Sequence, residues 1–379
     1  MTTKTAVVAQ ESPTKKQTGR KTAVFLLPIF SILFTILLVE GGLRLAIAAD
    51  IPYFRNPALY TYPFTDDYWK LLYRWDGRAT DGTSENVNPD PFLGWTPRTT
   101  SENPLGLMGQ EPYVPDLDGD VVLFYGDSFV AGKTENAADN VPNQLAQHIT
   151  ADAVYNFGVS NYGVDQIYLR FRETHTAFSQ PTIVVGIFTL DMDRSLISVR
   201  SSAPKPYFSV ENNDLILHGI DHVQIDSNAA DWIASWHETH PPQIKSYAWA
   251  FLTRRLDSFR TGNDWMRSTV PQSELEQLNG LLISEMVAEA KASGVPIQFV
   301  LFYTRGELDE TYWREEFILS HLDSLGVPYL DTKQLLLETA ASEQRDLWDY
   351  YFADGGHTNE LGNAVIAEVL AKQLQESSN

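Results

Sequence analysis

The sequence of 379 residues contains no cysteine. That absence excludes disulfides, thiolate metal sites and a cysteine nucleophile, while saying nothing about cellular compartment. Basic residues are scarce as well: 28 Lys and Arg stand against 49 Asp and Glu, for a formal net charge of −21 and a pI near 4.7. Without an overall positive field to neutralise phosphates, nucleic acid is disfavoured as a partner, and a strongly anionic ligand would need a local basic patch. The zinc-protease pattern of two histidines four residues apart on a helix is also missing. His237-Glu238-Thr239-His240 has the wrong spacing and runs into Pro241-Pro242, so neither a metal nor another cofactor is expected.

What is present is a chain 43% hydrophobic and 12% aromatic, enough for one large globular domain with an appended segment. Residues 1–22 form a polar tail carrying Lys4, Lys15, Lys16, Arg20 and Lys21 against the single acid Glu11. Residues 23–43 follow as a transmembrane anchor: Ala23 to Val39 is apolar except for Ser31 and Thr35, and Pro28 is tolerable inside a membrane helix. The basic flank predicts a single pass with a cytoplasmic N-terminus and an exported domain, periplasmic or extracellular. Ala46-Ile47-Ala48 has the look of a signal-peptidase site, but Glu40 and Arg44 intervene and the apolar run is long for a cleaved signal, so an uncleaved anchor is expected. Residues 44–115, rich in Pro, Tyr, Trp, Asp and Asn with little periodicity, read as an irregular lead-in packed across the domain.

Residues 116–379 carry the regular pattern. Val121-Val122-Leu123-Phe124-Tyr125 is an unbroken apolar run, the mark of a strand buried on both faces in a parallel sheet. Gly126-Asp127-Ser128 follows it. A residue at the carboxyl end of such a strand lies in the crevice where open α/β sheets bind ligands, which places Ser128 for chemistry, although the same serine would serve as a helix cap. Near the other end, Asp354-Gly355-Gly356-His357 precedes an amphipathic terminal helix. An aspartate three residues before a histidine can fix the imidazole's tautomer, leaving the other nitrogen to take a proton from a serine hydroxyl.

These two motifs resemble those of the SGNH (GDSL-like) hydrolase family, in its membrane-anchored branch. The resemblance implies Ser128 as nucleophile, His357 as general base and Asp354 as its orienting acid. Asn156-Phe157-Gly158-Val159-Ser160-Asn161-Tyr162-Gly163-Val164-Asp165-Gln166 is similar to the family's second block, with Asn161 where a glycine offers its backbone N–H to the oxyanion. Asparagine tolerates a positive φ better than other side chains, so that N–H can still be presented. Leu190-Asp191-Met192-Asp193-Arg194 overlays the third block, with Asp191 in place of an asparagine whose amide completes the oxyanion hole. An ionised Asp191 there would repel the oxyanion and a protonated one would donate to it, while the alternative is a strand-end acid paired with Arg194 or solvent. On the ionised oxyanion reading, Asp191→Asn would raise turnover by about tenfold or more. Phe92-Leu93-Gly94-Trp95 and Asn103-Pro104-Leu105-Gly106 are similar to segments that precede the catalytic strand in anchored members, and they receive no catalytic role.

Further strands are expected at Val154 to Phe157, Ile183 to Phe188, Ile297 to Phe302 and Val327 to Leu330, alternating with helices, one of them opened by a capping box at Ser273-Glu274-Leu275-Glu276. Residues 195–271 form an insertion with a hairpin around Asn212-Asn213, where Trp232, Trp236 and Trp249 either line a cleft or pack in the interior. The alternation specifies an α/β fold, a three-layer α/β/α sandwich on a mostly parallel five-stranded sheet. The resemblance implies flavodoxin-like strand order. It also implies a membrane-anchored serine esterase acting through a covalent acyl-serine on acyl, for instance acetyl, esters of a glycan or lipid. The alternatives are an O-acyltransferase acting on a sugar hydroxyl and a catalytically inactive glycan-binding or assembly protein.

Overall fold

A computed structural model of the chain describes residues 16–77, 87–108, 113–114, 119–133, 137–220, 229–261 and 270–377. Residues 1–15 of the expected basic tail, and residues 221–228 and 262–269 of the expected insertion, lie outside the described residues. The chain divides into two compact units, one of residues 1–61 with 244–263 and the other of residues 62–243 with 264–379.

The first unit is built on a helix, Lys16–Ala48, which extends beyond residues 23–43 at both ends. Within it Phe30–Ala48 is long and apolar enough to cross a membrane. Two 3-10 turns follow, at Pro52–Arg55 and Pro57–Leu59, and the unit is completed by the helix Tyr247–Thr261. Glu40 ties the two helices together. Its Oε1 accepts from Arg44 Nε at 2.6 Å, and its Oε2 accepts from Ser246 Oγ at 2.9 Å and the Ala248 N–H at 2.8 Å. The carboxylate thereby satisfies a backbone donor of the second helix's first turn.

The main sheet of the second unit has five strands, β1 (Val121–Gly126), β2 (Ala153–Gly158), β3 (Thr182–Phe188), β4 (Ile297–Phe302) and β5 (Tyr329–Asp331). They pair wholly in parallel in the order 2-1-3-4-5, the flavodoxin-like arrangement. Because successive side chains point to opposite faces, each apolar run feeds two cores. Leu123, Tyr125, Tyr155, Phe157, Val185 and Phe299 pack under helices Val164–Thr174, Gln272–Ala292 and Trp313–Leu325. Val122, Phe124, Val154, Val184 and Val300 pack on the other face against Val141, Leu145, Ile366 and Leu370. Three layers result.

The lead-in is more regular than its composition suggests. Helix Asp66–Asp76 ends on Gly77 in the left-handed conformation, and residues Val87–Asp90 and Gly94–Pro97 form an antiparallel hairpin. The buried side of that helix consists of Trp69, Lys70, Leu71 and Trp75, with the Lys70 ammonium 5.3 Å from the centre of the Trp236 ring. Aromatics and a lysine stem do the packing, so no aliphatic period marks it. Helix Gln272–Ala292 starts from Pro271, which leaves Ser273 inside its first turn, and a capping box appears instead at Thr304 and Glu307. The hairpin Tyr207–Glu211 with Asp214–His218 turns on Asn212 and Asn213, whose φ angles of 53° and 70° suit a primed turn. Trp232 and Trp236 are buried, whereas Trp249 is exposed.

Candidate active site

Beyond β1, Asp127 caps the short helix Ser128–Ala131, its Oδ1 accepting from the Phe129 N–H at 2.9 Å. The end of β2 presses on this turn from the side. A Cβ at Gly158 would run into the backbone of Val130 and Ala131, so only glycine allows the approach. His357 comes from the loop ahead of helix Glu360–Ser377 and lies with its ring centre 4.6 Å from that of Phe129. Its Nε2 is 2.8 Å from Ser128 Oγ. Ser128 Oγ also lies within donating distance of Asp127 Oδ2, at 3.2 Å. A hydroxyl has one proton, so the histidine and the carboxylate compete for it.

Burial is the main cause that holds the His357 pKa below the ordinary histidine value; Asp127 opposes it, while Lys133 and Arg194 reinforce it. The imidazole is therefore neutral at pH 7 and able to accept a proton at Nε2. The acid limb of a kcat/KM profile on an aryl ester should accordingly fall below pH 6.5, with rate lost as pH drops through the depressed value. A midpoint at or above the ordinary histidine value would mean that His357 is not the titrating base.

Asp354 is not brought to His357. Its Oδ1 accepts from the Gly356 N–H at 2.9 Å and its Oδ2 from Lys133 Nζ at 2.7 Å, bonds that also hold its carboxyl below the usual range. The turn back onto Gly356 and the pull of Lys133 direct the carboxylate outward, into an ion pair roughly half exposed on each side. His357 Nδ1 is left buried with no hydrogen-bond partner among the described residues. The sequence spacing of Asp354 and His357 allows their contact, and the local hydrogen bonds of Asp354 prevent it here.

Asn161 adopts a φ of 70°, the left-handed conformation that its place in the second block calls for. Its Oδ1 accepts from Arg200 Nη2 at 3.4 Å, and that guanidinium lies 4.4 Å over the Trp69 ring. Asp191 corrects the expectation for the third block. Fully buried, it receives the Phe188 N–H on Oδ2 at 2.9 Å and Arg194 Nη1 on Oδ1 at 2.6 Å. Both oxygens are taken up by partners within the protein, so the side chain serves the Arg194 pairing. Burial and then the neighbouring Asp127 charge push its pKa well above the usual carboxylate range, against the opposing pull of Arg194.

Arg194, the alternative partner that the sequence offers for Asp191, does more than pair with it. Its Nη1 also donates to Asp127 Oδ2 at 2.8 Å and to the Tyr162 carbonyl at 3.1 Å, so it bridges the acid beside Ser128 to the end of β3. Further buried pairs hold its backbone in place. Lys205 pairs with Asp165 and donates to the carbonyls of Ile197 at 3.1 Å and Arg194 at 3.3 Å. Arg314 grips Asp193 through two bonds, of 2.6 and 2.9 Å. The available signal was four acids, Asp127, Asp165, Asp191 and Asp193, at the ends of apolar strands, where each needs a cation.

No protein-family model matches the sequence, and no curated protein matches it. Solved structures similar to it include a member of the lipolytic G-D-S-L family from Veillonella parvula, 13% identical, covering 66% of this chain and 96% of that one with a TM-score of 0.35. Another is an acetyl xylan esterase from the rumen bacterium Butyrivibrio proteoclasticus, 13% identical, covering 70% of this chain and 66% of that one with a TM-score of 0.32. Likeness of this degree assigns no substrate and no residue role. The chain's own features are more informative: the 2-1-3-4-5 sheet, Gly-Asp-Ser after β1, Asp-x-x-His before the last helix, and the two motifs within 2.8 Å of each other. The fold is the flavodoxin-like three-layer sandwich that the resemblance to the SGNH hydrolases implies. In this fold the serine and histidine meet at the carboxyl ends of the strands, and Arg194 pairs with the acid that precedes the serine.

Proposed function

We propose that the chain is a membrane-tethered serine esterase that removes acyl groups, with acetyl the simplest, from a glycan or lipid. The contact between Ser128 Oγ and His357 Nε2, at 2.8 Å, carries this reading. Ser128 Oγ attacks the ester carbonyl carbon while its proton passes to His357 Nε2. The carbonyl oxygen takes up the electron pair, and the backbone N–H groups of Ser128 and Asn161 receive the resulting oxyanion. Collapse breaks the bond to the alcohol, which leaves with the proton from His357. Water then attacks the acyl-serine by the same route in reverse, releasing the acid. The helix Lys16–Ala48 serves as anchor, with its basic end cytoplasmic and the second unit exported.

One observation favours a second reading. The partnerless Nδ1 of His357 deprives the imidazolium of the counter-charge that a nearby Asp354 would supply, as suits an inactive glycan-binding or assembly protein. A fluorophosphonate probe separates the two readings. The esterase is expected to be labelled on Ser128 at neutral pH and to hydrolyse 4-nitrophenyl acetate with one active site per labelled chain. A folded chain that does neither would favour the inactive reading.

A further inference from the structure

The helix Tyr247–Thr261 turns one side inward and leaves another uncovered. Tyr247 and Ala248 are buried, the Tyr60 ring meets that of Tyr247 at 5.1 Å, and Arg254 Nε donates to the Thr61 carbonyl at 3.3 Å. These contacts fix the helix's rotation within its unit. Trp249, Leu252, Leu256 and Phe259 then face out, exposed by 66%, 48%, 50% and 91%. At about 100° per residue the four positions fall within an arc of roughly 80°, a single apolar strip. Large apolar side chains aligned this way on one helix mark a contact surface, unlike hydrophobics scattered singly.

The same unit indicates what covers the strip. The helix starts at the Glu40 carboxylate, near the far end of the proposed anchor at residues 23–43, where Phe30, Leu33, Leu37 and Leu38 are also exposed. Leu45, Ile51 and Tyr53 are exposed beyond Glu40, and Arg255 Nη2 donates to the Tyr53 hydroxyl at 2.9 Å. The uncovered apolar surface therefore continues from one helix to the other. Exposed Arg255 and Arg260 accompany the strip, and Asp257, the only acid of this helix, lies outside it. Tryptophan, leucine and phenylalanine on one side with arginines beside them are the make-up of a helix lying in a membrane interface.

We propose that the helix Tyr247–Thr261 is a second membrane contact. It lies in the boundary between headgroups and acyl chains of the bilayer that the N-terminal helix spans, with Arg255 and Arg260 at the level of the lipid phosphates. The inference rests on the proposed anchor and goes beyond it, since one spanning helix leaves its unit free to turn about the membrane normal and a second contact sets its tilt.

Because the chain lacks cysteine, a single introduced thiol carries a label at one site only. Full-length protein would be reconstituted in nanodiscs of phosphatidylcholine and phosphatidylglycerol, with a nitroxide at Leu37→Cys, Leu256→Cys or Phe259→Cys. Accessibility to oxygen and to a water-soluble nickel chelate would be read by electron paramagnetic resonance. At Leu256→Cys and Phe259→Cys, oxygen is expected to exceed the chelate several-fold, at a depth shallower than at Leu37→Cys. If Leu37→Cys reports hydrocarbon while both other sites admit the chelate as freely as label in buffer, the proposal fails and the anchor stands. Protection of both sites from oxygen and chelate alike would mean a protein cover, such as a second copy of the chain, and would overturn it too. Free access of the chelate at Leu37→Cys would remove the anchor and the proposal together.

Discussion

Ser128→Ala and His357→Ala each lower turnover of a short-chain aryl ester by on the order of 10⁴-fold or more, and the double variant is little worse than either alone. Nucleophile and base act as one unit, so removing the first leaves nothing for the second to activate. The geometry makes the effect separable from folding. Among the described residues the serine hydroxyl bonds to His357 Nε2 and Asp127 Oδ2 alone, and the stability of the turn comes from the Asp127 cap on Phe129 and from the close fit of Gly158. Thermal or urea unfolding of Ser128→Ala should therefore track the parent chain while the rate collapses. A rate near that of the parent in either variant would sink the esterase reading, because among the described residues Ser128 is the hydroxyl bonded to His357.

Asp191→Asn is expected to weaken the protein rather than activate it, the reverse of what the third-block overlay suggests. Arg194 is buried, with Asp191 and Asp127 as its carboxylate partners. Removing one partner of a buried ion pair costs about 3 kcal/mol, and an amide in that place turns a donor towards the guanidinium if it rotates the wrong way. Urea unfolding would show the loss. Turnover should fall as well, since Arg194 holds the Asp127 carboxylate that competes with His357 for the Ser128 proton. A stable Asp191→Asn protein with a tenfold higher rate would restore Asp191 to the oxyanion hole and displace Arg194 from its structural role.

Much of the second unit was legible because its strands are buried on both faces. Val121 to Tyr125 and Ile297 to Phe302 are continuous apolar runs for that reason, and Ser128 and His357 stand where such strands and the last helix end. Asn161 was legible too, through a chemical preference for positive φ. The site's charged frame was legible only in the pairing of Asp191 with Arg194. Asp191 shares a sequence position with a hydrogen-bond donor, but its role is set by Arg194, three residues on, and by Asp127, more than sixty residues back. Pairing at that separation leaves no periodic trace. Asp354 shows the converse: the spacing to His357 is right, and a lysine on another loop claims the carboxylate. Helix Asp66–Asp76 escaped notice because tryptophans and a lysine stem form its buried side.

The Glu40 carboxylate has a consequence for biosynthesis. Its partners Ser246 and Ala248 belong to a stretch that completes the first unit only after the chain from Tyr62 to Gln243 has been made. At about 5–20 residues per second, those roughly 180 residues take on the order of 10–40 s. For that interval the acid near the end of an apolar helix has Arg44, one turn along, as its charge partner, at 2.6 Å. The pair on a single helix thus works as a temporary neutraliser during synthesis, and the later-made helix takes over part of the carboxylate without displacing the arginine.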